Sequence, residues 1–261
     1  MGTWQNIFRK RSKPYNLGIA LSGGGARGFA HLGILKALEE KGIKPDVISG
    51  TSAGAIAGAF LAAGKSPDEA FEIIKHYKFF DFTTIRIPKT GLFNLDSLRS
   101  SINLEIPQKR IEELPKPLFV TAANMLDGNV EYFSEGPLAE IVQASASIPL
   151  LFSPVEIRGK LYADGGVLDN LPLKPLLACC NKTLLVNISP LRPISEMKNL
   201  VQVATRMLQL SVNAREDLKK RQSDFYIEPS ELDKFEIHDT KHAREIFEVG
   251  YHHTKELSIS L

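Results

Sequence analysis

Apolar runs rich in β-branched residues alternate along this chain with segments of helical periodicity. Strand-like runs cover 16–22, 46–50, 118–123, 130–133, 160–163, 183–188 and 224–227. Helical patterns start near Arg27, Ala53, Pro67, Pro137, Leu171, Ser195 and Lys241. This alternation argues for the α/β class, a mostly parallel sheet with helices on its faces. The chain has 261 residues, 43% of them hydrophobic, which is enough for one sizeable core. One domain over 16–261 is expected after a loose leader over 1–15. The stretch 79–118 is the least regular. It holds Phe79, Phe80, Phe82, Leu92 and Phe93, which suit either an acyl-pocket wall or lid, or plain satellite packing.

Three short motifs carry chemistry. Gly50-Thr51-Ser52-Ala53-Gly54 follows the apolar pair Val47-Ile48 and precedes a small-residue helix. That is the strand–turn–helix setting of a nucleophile elbow. A serine on such a turn projects its hydroxyl from the sheet, and side chains two positions either side would collide, hence Gly50 and Gly54. The helix start offers N–H groups and a positive dipole end to developing negative charge. Gly23-Gly24-Gly25-Ala26-Arg27-Gly28 follows the first strand and opens a helix. Its N–H groups can converge on an anion, as an oxyanion hole requires, and Arg27 can reinforce them or hold a phosphate. Asp164-Gly165-Gly166 follows the fifth expected strand, so an aspartate at a strand end can be aimed into a cleft as general base. Each has a plainer reading: a helix cap, a dinucleotide-type glycine loop, a turn. The dinucleotide reading lacks its partner, since the second strand ends in Gly50-Thr51-Ser52 rather than in an acid.

Bulk properties exclude several classes. Net charge is +2, too small to imply a nucleic-acid partner. The two cysteines, Cys179 and Cys180, are adjacent; they read as reduced, buried thiols suited to the cytoplasm, with no spaced ligand set for a metal. No apolar run is long enough to span a membrane. In the leader, Trp4, Ile7 and Phe8 stand beside Arg9, Lys10, Arg11 and Lys13. Such a segment can touch an anionic membrane surface, although a frayed terminus is the plainer expectation. Over 195–221, Leu200, Val203, Ala204, Met207, Leu208 and Ser211 form a helical stripe, read first as core and second as a homodimer face. Ala243, Ile246, Phe247, Gly250, Thr254 and Leu257 form another.

Taken together the three motifs, in this order, resemble the patatin-like phospholipase family. The stretch from Gln143-Ala144-Ser145-Ala146-Ser147 to Phe152-Ser153-Pro154, and that from Gly165-Gly166-Val167 to Asn170-Leu171-Pro172, resemble the same family. The resemblance covers roughly 16–188. It implies a three-layer α/β/α sandwich and a Ser–Asp dyad without a catalytic histidine. On this chain Ser52 would be the nucleophile and Asp164 the base, with the N–H groups of Gly24, Gly25 and Ala26 holding the oxyanion. It implies an acyl-enzyme intermediate, an acyl-ester lipid substrate of the phospholipase or lysophospholipase kind, and neither cofactor nor metal.

Other readings use the same residues. A Ser–His–Asp esterase would draw on His238, His242, His252 or His253, all downstream of Asp164, or on His31 beside the glycine loop. An acyltransferase would pass the acyl group to a thiol or alcohol. A non-catalytic adaptor would keep the fold alone, and the intact dyad argues against it.

Overall fold

In the computed structural model, residues 13–77, 95–191, 193, 196, 197, 203, 206, 207, 210 and 216–259 are described. The aromatic stretch 79–93, most of the leader and most of the 195–215 stripe lie outside them. The strands are β1 (Tyr15–Leu21), β2 (Val47–Thr51), β3 (Leu118–Asn124), β4 (Val130–Phe133), β5 (Val155–Ile157), β6 (Lys160–Asp164), β7 (Cys180–Val186) and β8 (Phe225–Ile227). The helices are α1 (Phe29–Glu40), α2 (Ala53–Ala62), α3 (Pro67–Tyr77), α4 (Asp96–Glu105), α5 (Leu138–Ser145), α6 (Lys174–Cys179), α7 (Glu216–Gln222) and α8 (Ala243–Glu256).

One mixed sheet organises them. β8, β7, β1, β2 and β3 pair in that order, all parallel, while β4 and β6 run antiparallel to β3 and β5 antiparallel to β6. Side chains alternate across a strand, and the two faces are divided accordingly. Leu17, Ile19 and Leu21 of β1, Ile48 of β2, and Leu184 and Val186 of β7 enter the larger core with α1, α2, α3, α5 and α8. Ala20, Val47 and Leu185, one position over, enter a smaller core with Leu171, Leu173 and Leu176. Helices therefore cover both faces, which is the three-layer arrangement expected.

The pairing of β3 decides where the chemistry sits. β2 pairs with β3 up to Thr51 opposite Thr121, and β6 pairs with it from Asp164 opposite Ala122. β4 spans Val120 to Ala123 and overlaps both registers. One edge of a strand holds one partner at each residue, so β4 takes one edge while β2 and β6 share the other. Running antiparallel, β2 and β6 meet carboxyl end to carboxyl end. The turn after Thr51 thus arrives beside Asp164.

Three elements depart from expectation. α4 lies in the stretch read as irregular. Leu95, Leu98, Ile102 and Ile106 are buried at helical spacing, yet serines and charges on the other face dilute the signal. β5 carries no strand signal in the sequence, because three residues show no period. α6 begins at Lys174 rather than Leu171, with Pro175 in its first turn, where the missing N–H costs nothing. The C-terminal stripe is core: Ala243, Ile246, Phe247, Gly250 and Thr254 are the buried residues of α8.

Candidate active site

Ser52 stands between β2 and α2 with φ 53° and ψ −119°, a region that a residue with a side chain enters only at an energetic cost. The crowding around it explains the glycines. A Cβ on Gly50 would lie 2.4 Å from the Gly54 carbonyl oxygen, and one on Gly54 would lie 2.2 Å from that of Leu21. Thr51 ends β2 and donates its hydroxyl to the Asp169 carbonyl at 3.0 Å. Ala53 and Gly54 open α2, so their N–H groups have no intrahelical acceptor. The Ser52 N–H donates to Ser145 Oγ at 2.9 Å.

Asp164 ends β6, is buried, and faces the Ser52 side chain. Its Oδ1 accepts the Gly166 N–H at 2.7 Å, from the tight turn Gly165–Val167. Burial pushes the carboxyl up to about 6, against the pull of the Ser52 hydroxyl and the Gly166 N–H. No lysine, arginine or histidine is paired with it among the described residues.

The glycine loop lies against this pair: a Cβ on Gly23 would be 3.1 Å from Ser52 Cβ. Gly23 donates its N–H to the Asn170 carbonyl and accepts the Ser22 and Ser189 hydroxyls. Among the described residues the N–H groups of Gly24 and Gly25 carry no hydrogen bond. Gly25 has φ 59°, which turns the chain into a short 3-10 segment leading to α1. Gly28 ends that segment packed on Ala53. Ala26, expected among the anion donors, instead gives its N–H to the Ile237 carbonyl at 2.7 Å. The Arg27 side chain reaches the Phe235 carbonyl through Nε at 2.8 Å, with Asp233 and Glu236 near it. It is thus a tie to the C-terminal region.

The candidate histidines are engaged or exposed. His31 is fully buried, donates Nε2–H to the Ser22 carbonyl at 2.8 Å, and has its pKa lowered by burial to about 4. Its ring is neutral and supports the glycine loop from below. His238, His242 and His252 have exposed side chains, and His242 is bonded to Asp239 at 2.6 Å. Cys180 is buried as expected, Cys179 only partly, and both thiols are free. Among the described residues no cluster of metal-ligating side chains occurs, and no helix is long and apolar enough to cross a membrane.

The model of the patatin-like phospholipase family matches residues 19–177, which takes in the glycine loop, the serine turn and the aspartate turn. The chain belongs to the patatin-like phospholipase family. An uncharacterized NTE family protein of Mycobacterium bovis is 34% identical over 183 residues, covering 69% of this chain and 50% of that protein. Lysophospholipase NTE1 of Candida glabrata is 30% identical over 270 residues, covering 90% of this chain but 15% of its own length. The chain therefore spans half or less of these two curated relatives. Among solved structures, VipD from Legionella pneumophila aligns over 90% of this chain and 67% of its own, with TM-score 0.49 and 17% identity.

Two residues of this patatin-like site stand in the stretches that resemble the family, yet the sequence gives neither of them a role. Ser145 and Asn170 are brought to it by the fold. Asn170 accepts from Gly23 and sets its side-chain oxygen against both Gly23 and Gly166, linking the glycine loop to the aspartate turn. An Asx residue four positions after Gly166 reads as an ordinary turn former, so nothing local assigns it this tie.

Proposed function

We propose that this patatin-like protein is a serine acyl hydrolase acting on lipid esters of the phospholipase or lysophospholipase kind. The observation that carries the reading is the approach of the Ser52 side chain to Asp164. It brings a hydroxyl on a strained turn to a buried carboxyl that has no cation beside it and is raised to about 6. Such an acid is ionised at neutral pH yet basic enough to accept a proton. Ser52 Oγ attacks the ester carbonyl carbon while Asp164 takes the hydroxyl proton. The negative charge on the carbonyl oxygen falls to the free N–H groups of Gly24 and Gly25. The proton passes to the departing alcohol as its bond to the acyl carbon breaks, leaving an acyl-Ser52 ester. Water then attacks that ester while Asp164 takes its proton; the bond from Ser52 Oγ to the acyl carbon breaks, Oγ takes the proton back from Asp164, and the free acid departs. The name of the NTE1 relative supports a lysophospholipid among the substrates.

Purified protein assayed on p-nitrophenyl esters of increasing chain length tests this, beside Ser52→Ala and Asp164→Asn. Both variants are expected to lose at least about a thousandfold in kcat/KM. Activity that survives Asp164→Asn but not Ser52→Ala would turn the search to a histidine base. A rise in kcat/KM with chain length is expected from the phenylalanines of 79–93.

A further inference from the structure

We propose that Ser145 is a positioning residue, which sets the reach between Ser52 and Asp164 by holding the Ser52 main chain. This rests on the Ser–Asp reading above. β2 and β6 lie end to end on one edge of β3, and no ladder pairing joins them. β3 brings the two strand ends together, but no sheet hydrogen bond crosses the gap over which Ser52 must reach Asp164. The carboxyl end of α5 crosses it. The Ser52 N–H donates to Ser145 Oγ at 2.9 Å, and two residues on, the Ser147 carbonyl accepts the Asp164 N–H at 2.9 Å.

The bridge is stiff. The Ala146 N–H bonds the Val142 carbonyl at 3.1 Å, the Ser147 N–H bonds that of Ala144 at 3.1 Å, and the Ser147 hydroxyl bonds that of Gln143 at 2.8 Å. Ser145 and Ser147 are both buried, so water does not substitute for these bonds. The two ties differ in kind. The Asp164 tie runs main chain to main chain and survives any side-chain change. The Ser52 tie depends on one hydroxyl and holds the N–H side of a residue at φ 53°, whose carbonyl is held separately by the Ala55 and Ile56 N–H groups.

The test compares the parent with Ser145→Ala and Ser145→Cys, the second keeping the site filled while placing a poor acceptor opposite the Ser52 N–H. Each is assayed on a p-nitrophenyl ester across pH, with thermal unfolding to establish that it folds. Ser101→Ala serves as a control: Ser101 is a buried serine of α4 bonded to the Ser97 carbonyl. A misplacement of an ångström or less is expected to lower kcat roughly ten- to hundredfold with KM little changed, while Ser101→Ala stays near the parent. The acidic limb of the rate profile is expected to move to higher pH, because the loosened Ser52 hydroxyl no longer helps to hold the Asp164 charge. A merely structural serine would not move that limb. Parental kcat in either folded variant, or a fall in kcat with an unmoved limb, overturns the inference while the dyad reading stands. An inactive parent, or full activity in Asp164→Asn, removes the dyad and this role together.

Discussion

Two aspartates five residues apart are both buried, and the fold treats them in opposite ways. Asp164 faces only a hydroxyl and a main-chain N–H, and its carboxyl is raised to about 6. Asp169 is held by the Lys219 ammonium on Oδ1 and by the Tyr132 hydroxyl on Oδ2 at 2.5 Å. Burial beside this charge pushes the Tyr132 phenol well above its ordinary range. A buried carboxylate with a cation is neutralised and becomes a clamp, here tying α7 to the turn after Asp164. One kept without a cation retains basicity, at a cost to stability. Position in sequence does not separate the two; the neighbours that the fold supplies do.

The largest expected effect concerns the rate at Asp164. In the parent, kcat/KM rises with pH through a midpoint near 6 and levels above it, since the carboxylate is the active form. A profile flat from pH 4 to 8 would break the contrast between the two acids. Next in size is Asp169→Asn, which strands the Lys219 charge and is expected to cost about 3 kcal/mol in urea unfolding. Lys219→Met placed on top should recover a good part of that, measured as a double-mutant cycle. If the second change worsened stability additively, the clamp would be no clamp.

Stability at Asp164 has the opposite sign. Its folded pKa lies above the ordinary 3.8, so the folded state holds the proton more tightly. The resulting stability is full below about pH 4 and is lost as pH rises through about 6. The loss is on the order of 3 kcal/mol for a shift of this size. Asp164→Asn cannot ionise. It should melt several degrees above the parent at pH 8 and level with it near pH 4, as differential scanning calorimetry would record. Equal melting at both pH values would mean that burial does not strain this acid. Smallest is Tyr132→Phe, expected to cost about 1 kcal/mol by urea unfolding, because Lys219 still covers the Asp169 charge.

Much of the fold was legible in the chain because its signals are local. The apolar runs of β1, β2, β3 and β7 and the small-residue start of α2 announce themselves within ten residues. α4 and β5 did not, one for a diluted stripe and the other for brevity. At the site, the glycine loop, the Ser52 turn and Asp164 each carry a motif. The engagement of the Ala26 N–H by Ile237, the diversion of Arg27 to Phe235, and the ties from Ser145 and Asn170 carry none.

The residues themselves determined that this is an α/β patatin-like chain with a serine on a crowded turn after its second strand. Glycine spacing and strand-to-helix order follow from steric rules that act over a few residues. Only the tertiary structure decided that β2 and β6 share one edge of β3, so that Ser52 and Asp164, 112 positions apart, meet. It also decided which buried aspartate receives a lysine. Strand partners and charge partners come from distant segments, and burial, which sets the basicity of a carboxyl, is a property of the packed whole.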